Sequence, residues 1–119
     1  MLRCHLIFKL FFLLFFTFPL LAEQFLEGTE DVPLMEGMIY SQEETFSIDN
    51  EDGRLYFSKT LTSENVEKIW RFYQETLPQL GWNEIEKGLF TRDGDTLRIG
   101  VYENLPKNSV FFELITKSK

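Results

Sequence analysis

The sequence predicts an α+β domain, an antiparallel β-sheet with one amphipathic helix packed on a face, in the order ββαββββ. Three observations lead there. Apolar residues recur at helical spacing in one stretch, as Val66, Ile69, Trp70, Tyr73 and Leu77. Most of the remaining chain after residue 43 alternates with period two. The turn-forming groups Asn50-Glu51-Asp52-Gly53, Lys87-Gly88 and Asp93-Gly94-Asp95 divide that remainder at hairpin spacings.

Residues 44–49 place Phe46 and Ile48 on one side, and residues 54–61 resume an extended pattern beyond the turn, so the two form a hairpin. Thr62 or Ser63 is the expected N-cap of the helix, and Glu64 and Glu67 suit its positive end. Pro78 has no N–H to continue the helical ladder, which ends the helix near Leu77, and Gly81 can reverse the chain. Residues 82–86 and 89–92 are short strands. Residues 96–103 form a longer one, with Leu97, Ile99 and Val101 inward. A loop containing Pro106 leads to the last strand, 109–116, with Val110, Phe112 and Leu114 on one face.

Ahead of this domain, residues 1–22 read as a secretion signal. Arg3 and Lys9 supply positive charge, residues 10–18 are uninterruptedly apolar, and Pro19-Leu20-Leu21-Ala22 supplies an end. Cleavage after Ala22 is expected, with the periplasm as the destination. Leu20 is bulkier than the small residue favoured there, so an uncleaved anchor in the inner membrane is the alternative. The charge-free run from 10 to 22 is shorter than the roughly 20 residues that span a bilayer. Cys4 precedes the apolar stretch, which argues against lipidation.

Cys4 and His5 are the chain's single cysteine and histidine. With the signal removed, the domain has no disulfide partner, no thiolate or imidazole metal ligand, and no histidine base. Two of the 12 Lys and Arg and none of the 19 Asp and Glu precede Glu23, which leaves −9 on the remainder. That balance disfavours nucleic acid and suits a basic partner surface or cationic ligand. No cofactor is expected, since the chain contains neither GxGxxG nor GxxxxGKS/T.

Residues 23–43 read as an irregular acidic arm, interrupted by Gly28, Pro33 and Gly37, ahead of a single domain at 44–119. Within it Val32, Leu34, Met35, Met38 and Ile39 are apolar enough to dock, on the chain's own domain in preference to a partner. Asp49-Asn50-Glu51-Asp52-Gly53 mimics a calcium loop, but its glycine falls one position early and Thr60 stands where a bidentate glutamate is needed. A hairpin turn accounts for it. Glu84 and Glu86 share a strand face by simple alternation, the one pairing that hints at acid-base chemistry. Ser41, Ser47, Ser58 and Ser109 lack the elbow of a nucleophilic serine, and Lys59 or Lys68 would need special desolvation.

The stretches Asp31-Val32-Pro33-Leu34-Met35-Glu36-Gly37-Met38, 46–54 and Phe72-Tyr73-Gln74-Glu75-Thr76-Leu77-Pro78-Gln79-Leu80-Gly81-Trp82 resemble an uncharacterised family of short exported alphaproteobacterial proteins. The resemblance covers most of the mature chain and implies a Gram-negative envelope context, with no activity or ligand attached. The segment from Phe72 to Trp82 is also similar to a helix and turn in envelope-assembly modules.

The function expected from these features is a non-enzymatic protein-interaction module. Tyr56 and Phe57, like Phe111 and Phe112, point to opposite faces of their strands, so the sheet is apolar on both sides. The expected partner contacts are Val32, Leu34, Met35, Tyr56 and Phe111. The alternative is a carrier of a small apolar ligand, in a pocket between helix and sheet lined by Trp70, Tyr73 and Trp82.

Overall fold

The computed structural model describes residues 24–26, 29 and 31–117, and the segment read as a secretion signal lies outside them. Among the described residues no helix is long and apolar enough to cross a membrane. The long strands are β4 (Phe46–Asn50), β5 (Gly53–Thr62), β8 (Asp95–Tyr102) and β9 (Asn108–Lys117). Between β5 and β8 come the helix α1 (Val66–Thr76) and the short strands β6 (Asn83–Glu86) and β7 (Leu89–Arg92). This is the expected α+β fold with its expected order. The arm adds three short strands, β1 (Gln24–Phe25), β2 (Pro33–Leu34) and β3 (Ile39–Tyr40).

Antiparallel pairing runs in the order β3-β5-β9-β8-β7-β6, with β4 on the same edge of β5 as β3. A short 3-10 turn at Gln42–Glu44 separates β3 from β4, so arm and hairpin share one edge. β1 and β2 pair apart from the sheet.

Local chemistry explains the turns. Asn50 Oδ1 accepts from the backbone N–H of Asp52 and Gly53, at 2.9 and 3.0 Å, closing the β4–β5 hairpin. Asp49 and Arg54 stand opposite each other in that hairpin and form an ion pair. The residues that imitate a calcium loop are therefore engaged in the turn. Gly53 meets the β9 backbone so closely that a Cβ would fall 1.9 Å from Thr116 O.

The helix start differs from expectation. Asn65, one residue before α1, caps it by accepting from Lys68 N at 2.8 Å, whereas Thr62 Oγ1 accepts from Glu64 N. Thr62 lies in β5 and its side chain is buried on the core face, which keeps it out of the cap position. At the other end Leu77–Leu80 tightens into a 3-10 turn through Pro78, and Gly81 ends it at φ 92°.

One face of the sheet carries the core. Ser58 and Thr60 of β5, Val110, Phe112 and Leu114 of β9, Leu97 and Ile99 of β8 and Phe90 of β7 are buried there beneath Ile69, Tyr73 and Leu77. The arm completes this layer. Leu26, Val32, Leu34, Met35 and Met38 are each at most 8% exposed and belong to the same cluster. The Met38 thioether accepts from the buried hydroxyls of Thr60 and Tyr73, at 3.7 and 3.5 Å, joining arm, sheet and helix.

Candidate functional site

The opposite face of the sheet is lined by an aromatic row. In-register pairing sets Phe46 beside Phe57, and Gly100 beside Phe111. The rings of Phe46 and Phe57 stack at 5.3 Å, Phe57 meets Phe111 at 5.9 Å, and Tyr102 meets Phe111 edge-on at 5.2 Å. The row thus crosses β4, β5, β9 and β8. Phe46 is 49% exposed and Tyr102 60%, with Ile48 and Ile115 also exposed on this face. Among the described residues no helix or strand lies over it.

A depression of about 630 Å³ is sunk into the row, lined by Phe57, Phe111, Tyr102 and Gly100 together with Lys59, Lys87, Arg98, Glu103 and Glu113. Gly100 is part of its lining. It lies within β8 and is absent from the positive-φ glycines, so its backbone is one that any residue adopts. A Cβ there would first touch the Tyr102 ring, at an ordinary 3.6 Å. The fold tolerates a side chain at this position.

Lys59 crosses the rim, with Nζ 2.7 Å from Glu44 and 5.5 Å from the centre of the Phe111 ring. The hydrogen bond from Lys59 holds the Glu44 carboxyl below its ordinary range, outweighing the opposing effect of desolvation. Lys87 lies over the Trp70 ring at 5.1 Å. The neighbouring Gly88, at φ 83°, is pressed between the Ile99 backbone and Trp70, which sets the β6–β7 turn against the rim. At the far end of the depression Asn108 fastens the 103–107 loop. Its Oδ1 accepts from Asn104 N at 3.0 Å, and its amide donates to Glu64 O at 2.7 Å.

Of the residues expected to meet a partner, Phe111 is on this face. Val32, Leu34 and Met35 are not available there, because the arm buries them in the chain's own core. Tyr56 belongs to the core face, opposite Leu114, where it is half-buried and its hydroxyl accepts from Arg54 at 2.6 Å. The candidate carrier residues are core packing as well. Tyr73 stands edge-on to Phe112 at 5.4 Å, and burial keeps its phenol protonated far above the ordinary tyrosine range. Trp82 is buried beneath Arg92, and Trp70 is half-buried beside Lys87. Neither the sheet-face depression nor a second one around Arg92 is lined by any of the three.

Glu84 and Glu86 are separated by a β-bulge that the sequence does not announce. Glu84 pairs with Phe90 and Glu86 with Leu89, neighbours facing opposite ways, so the two carboxylates do not share a face. Ser58 is buried against Thr45 at 3.2 Å, and Ser109 is buried in β9.

No protein-family model matches the chain, and no curated protein or solved structure matches it. Sequence reasoning passed over Gly100 and Arg98. The available signal was a glycine inside an otherwise alternating strand, Thr96-Leu97-Arg98-Ile99-Gly100-Val101-Tyr102, which marks a site of close approach or missing bulk.

Proposed function

We propose that this chain is a non-enzymatic interaction module of a Gram-negative envelope, exported to the periplasm, which binds a partner protein through the open face of its sheet. The aromatic row from Phe46 to Tyr102 carries the reading, because exposed contiguous apolar surface rimmed by charge is the usual mark of a binding surface. The segment at 1–22 supports export, and the same face would serve a chain held at the inner membrane by a retained signal. The absence of cysteine and histidine after residue 5 supports binding over catalysis.

The test is mild crosslinking of the carboxyl-terminally tagged full chain in its native envelope, with recovered partners and the bait's amino terminus read by mass spectrometry. The wild type should recover a partner that the Phe111→Ala, Tyr102→Ala double variant loses while remaining folded. Equal recovery by both would remove the face from the interaction. A bound small molecule in place of a protein would favour a carrier.

A further inference from the structure

The open face is apolar beyond its aromatic row, since Ile48, Leu55 and Ile115 stand side by side across β4, β5 and β9. It is also close to neutral, in a chain whose formal charge is −7. Around the depression Lys59, Lys87 and Arg98 are matched by Glu103, Glu113 and, through its pair with Lys59, Glu44. Net charge therefore selects neither an acidic nor a basic partner. In the middle of the face one charge of each sign is left. Arg98 and Glu113 are opposite each other on β8 and β9, and neither forms an ion pair among the described residues.

The strand order supplies the partner that such a pair fits. β9 and β8 lie at the centre of the sheet, with β5 and β4 outside one and β7 and β6 outside the other. A two-fold axis along the strands, between β9 and β8, lays the open face of a second copy over this one. Each residue of β8 then faces, on the other copy's β9, the residue it pairs with in its own sheet. Arg98 meets Glu113 of the other copy, and by symmetry the contact forms twice. Phe57 and Leu89 stand at the height of that pair and meet each other. Phe111 meets the Gly100 position, where the Tyr102 ring already lies, so the contact is ring on ring. Sheets packed face to face are about 10 Å apart, a gap that an arginine and a glutamate span together.

Resting on the interaction reading above, we infer that the partner of this face is a second copy of the same chain. The dimer is a two-fold sandwich of the two sheets with the helices outside. The face is large enough. A strand residue covers about 4.8 by 3.4 Å of sheet, so β4, β5, β9, β8 and β7 present roughly 600 Å² in plan. The side chains standing on it expose more than that, and a stable interface takes about 800 Å² from each partner.

The test is a charge swap between copies. Full chains carrying two different carboxyl-terminal tags are expressed together, and capture of one tag under mild crosslinking is scored for the other. Arg98→Glu in both copies sets like charges against each other twice, and Glu113→Arg does the same with the opposite sign. Each should lower co-capture at least tenfold. Arg98→Glu in one copy with Glu113→Arg in the other restores both contacts and should recover most of the wild-type signal. A variant that had merely failed to fold could not be rescued in this way.

Wild-type copies that do not capture each other would overturn the inference. So would co-capture that ignores the swaps, or a mixed pair no better than either variant alone, because the copies would then meet elsewhere. The interaction reading has its own measure in the Phe111→Ala, Tyr102→Ala variant. If that variant loses a different protein while the wild-type chain stays monomeric, the face stands and the second copy falls.

Discussion

The indole N–H of Trp82 donates to the main-chain oxygen of Asp31 at 3.1 Å, across 51 residues of sequence. Arg92 lies over the same indole, 4.5 Å from its centre, and pairs with the Asp31 carboxylate while donating to Leu80 O. The arm is thereby latched to the turn after the helix. Trp82→Ala should destabilise the protein by roughly 3 to 5 kcal/mol, the range for removal of a large buried aromatic. Urea denaturation measures it, and a loss under about 1 kcal/mol would mean that the ring is dispensable to the core. Trp82→Phe should recover most of the loss but leave the Asp31 oxygen without its donor, a deficit of about 1 kcal/mol.

The same latch makes stability depend on acid. Partial burial opposes the charge on Asp31, but hydrogen bonds from Arg92 and Thr29 and the guanidinium's charge outweigh it, holding the carboxyl below its ordinary value of 3.8. A carboxylate with a depressed folded pKa stabilises the protein fully above its unfolded value and loses that contribution as pH falls through the folded one. Asp31→Asn should therefore be less stable than the wild type at neutral pH, with the gap narrowing between about pH 5 and pH 2. The pair is partly exposed, so the effect should be modest. Urea midpoints across that range decide it, and a gap independent of pH would mean that the ion pair contributes nothing.

How much of this was legible in the sequence depended on the distance over which each feature is specified. The β4–β5 turn, the helix and its end at Pro78 are encoded within a few residues, and each could be read directly. The helix cap was misplaced because Thr62, Ser63 and Asn65 are all acceptable caps, and only the length of β5 decides among them. Whether Val32 and Leu34 face the core or a partner depends on Trp82 and Arg92, more than 40 residues later. The bulge at Ile85 is likewise set by pairing with β7, so period-two counting put Glu84 and Glu86 on one face. The aromatic row was half visible, in the doublets at 56–57 and 111–112. The assembly of four rings across four strands required the register.

Two glycines that line the same depression should respond in opposite ways to gaining a methyl group. Gly88 has φ 83°, and a Cβ there would lie 2.6 Å from Ile99 O, a backbone atom that cannot swing away. Ile99 N also donates to Gly88 O at 2.7 Å, fixing the approach. Gly88→Ala should cost roughly 2 kcal/mol or more, combining left-handed strain with the clash. Gly100→Ala meets neither obstacle and should be neutral or slightly stabilising, since glycine is a weak strand residue. Thermal melts of the two variants side by side test this. Equal losses would mean that Gly100 is retained for the fold and not for the space above it.

The arm offers the largest prediction. Five of its buried side chains, Leu26, Val32, Leu34, Met35 and Met38, each contribute about 1.5 to 3 kcal/mol if burial is near complete. Together that is on the order of 10 kcal/mol, comparable to the whole stability of a small domain. A chain begun at Glu44 should therefore fail to unfold cooperatively in urea, although it retains every long strand and the helix. A sharp transition near the wild-type midpoint would show that the 44–119 segment is self-sufficient. Met38→Leu isolates the polar part of the joint. It keeps the apolar bulk but removes the thioether that accepts from Thr60 and Tyr73. The Thr60 hydroxyl retains Val110 O at 3.2 Å, whereas Tyr73, wholly buried, loses the acceptor of its proton and keeps only its hydrogen bond with the Met35 backbone. A loss of about 1 to 3 kcal/mol should follow, and Met38→Leu should cost less in a Tyr73→Phe background, where no phenol hydroxyl is left without its acceptor.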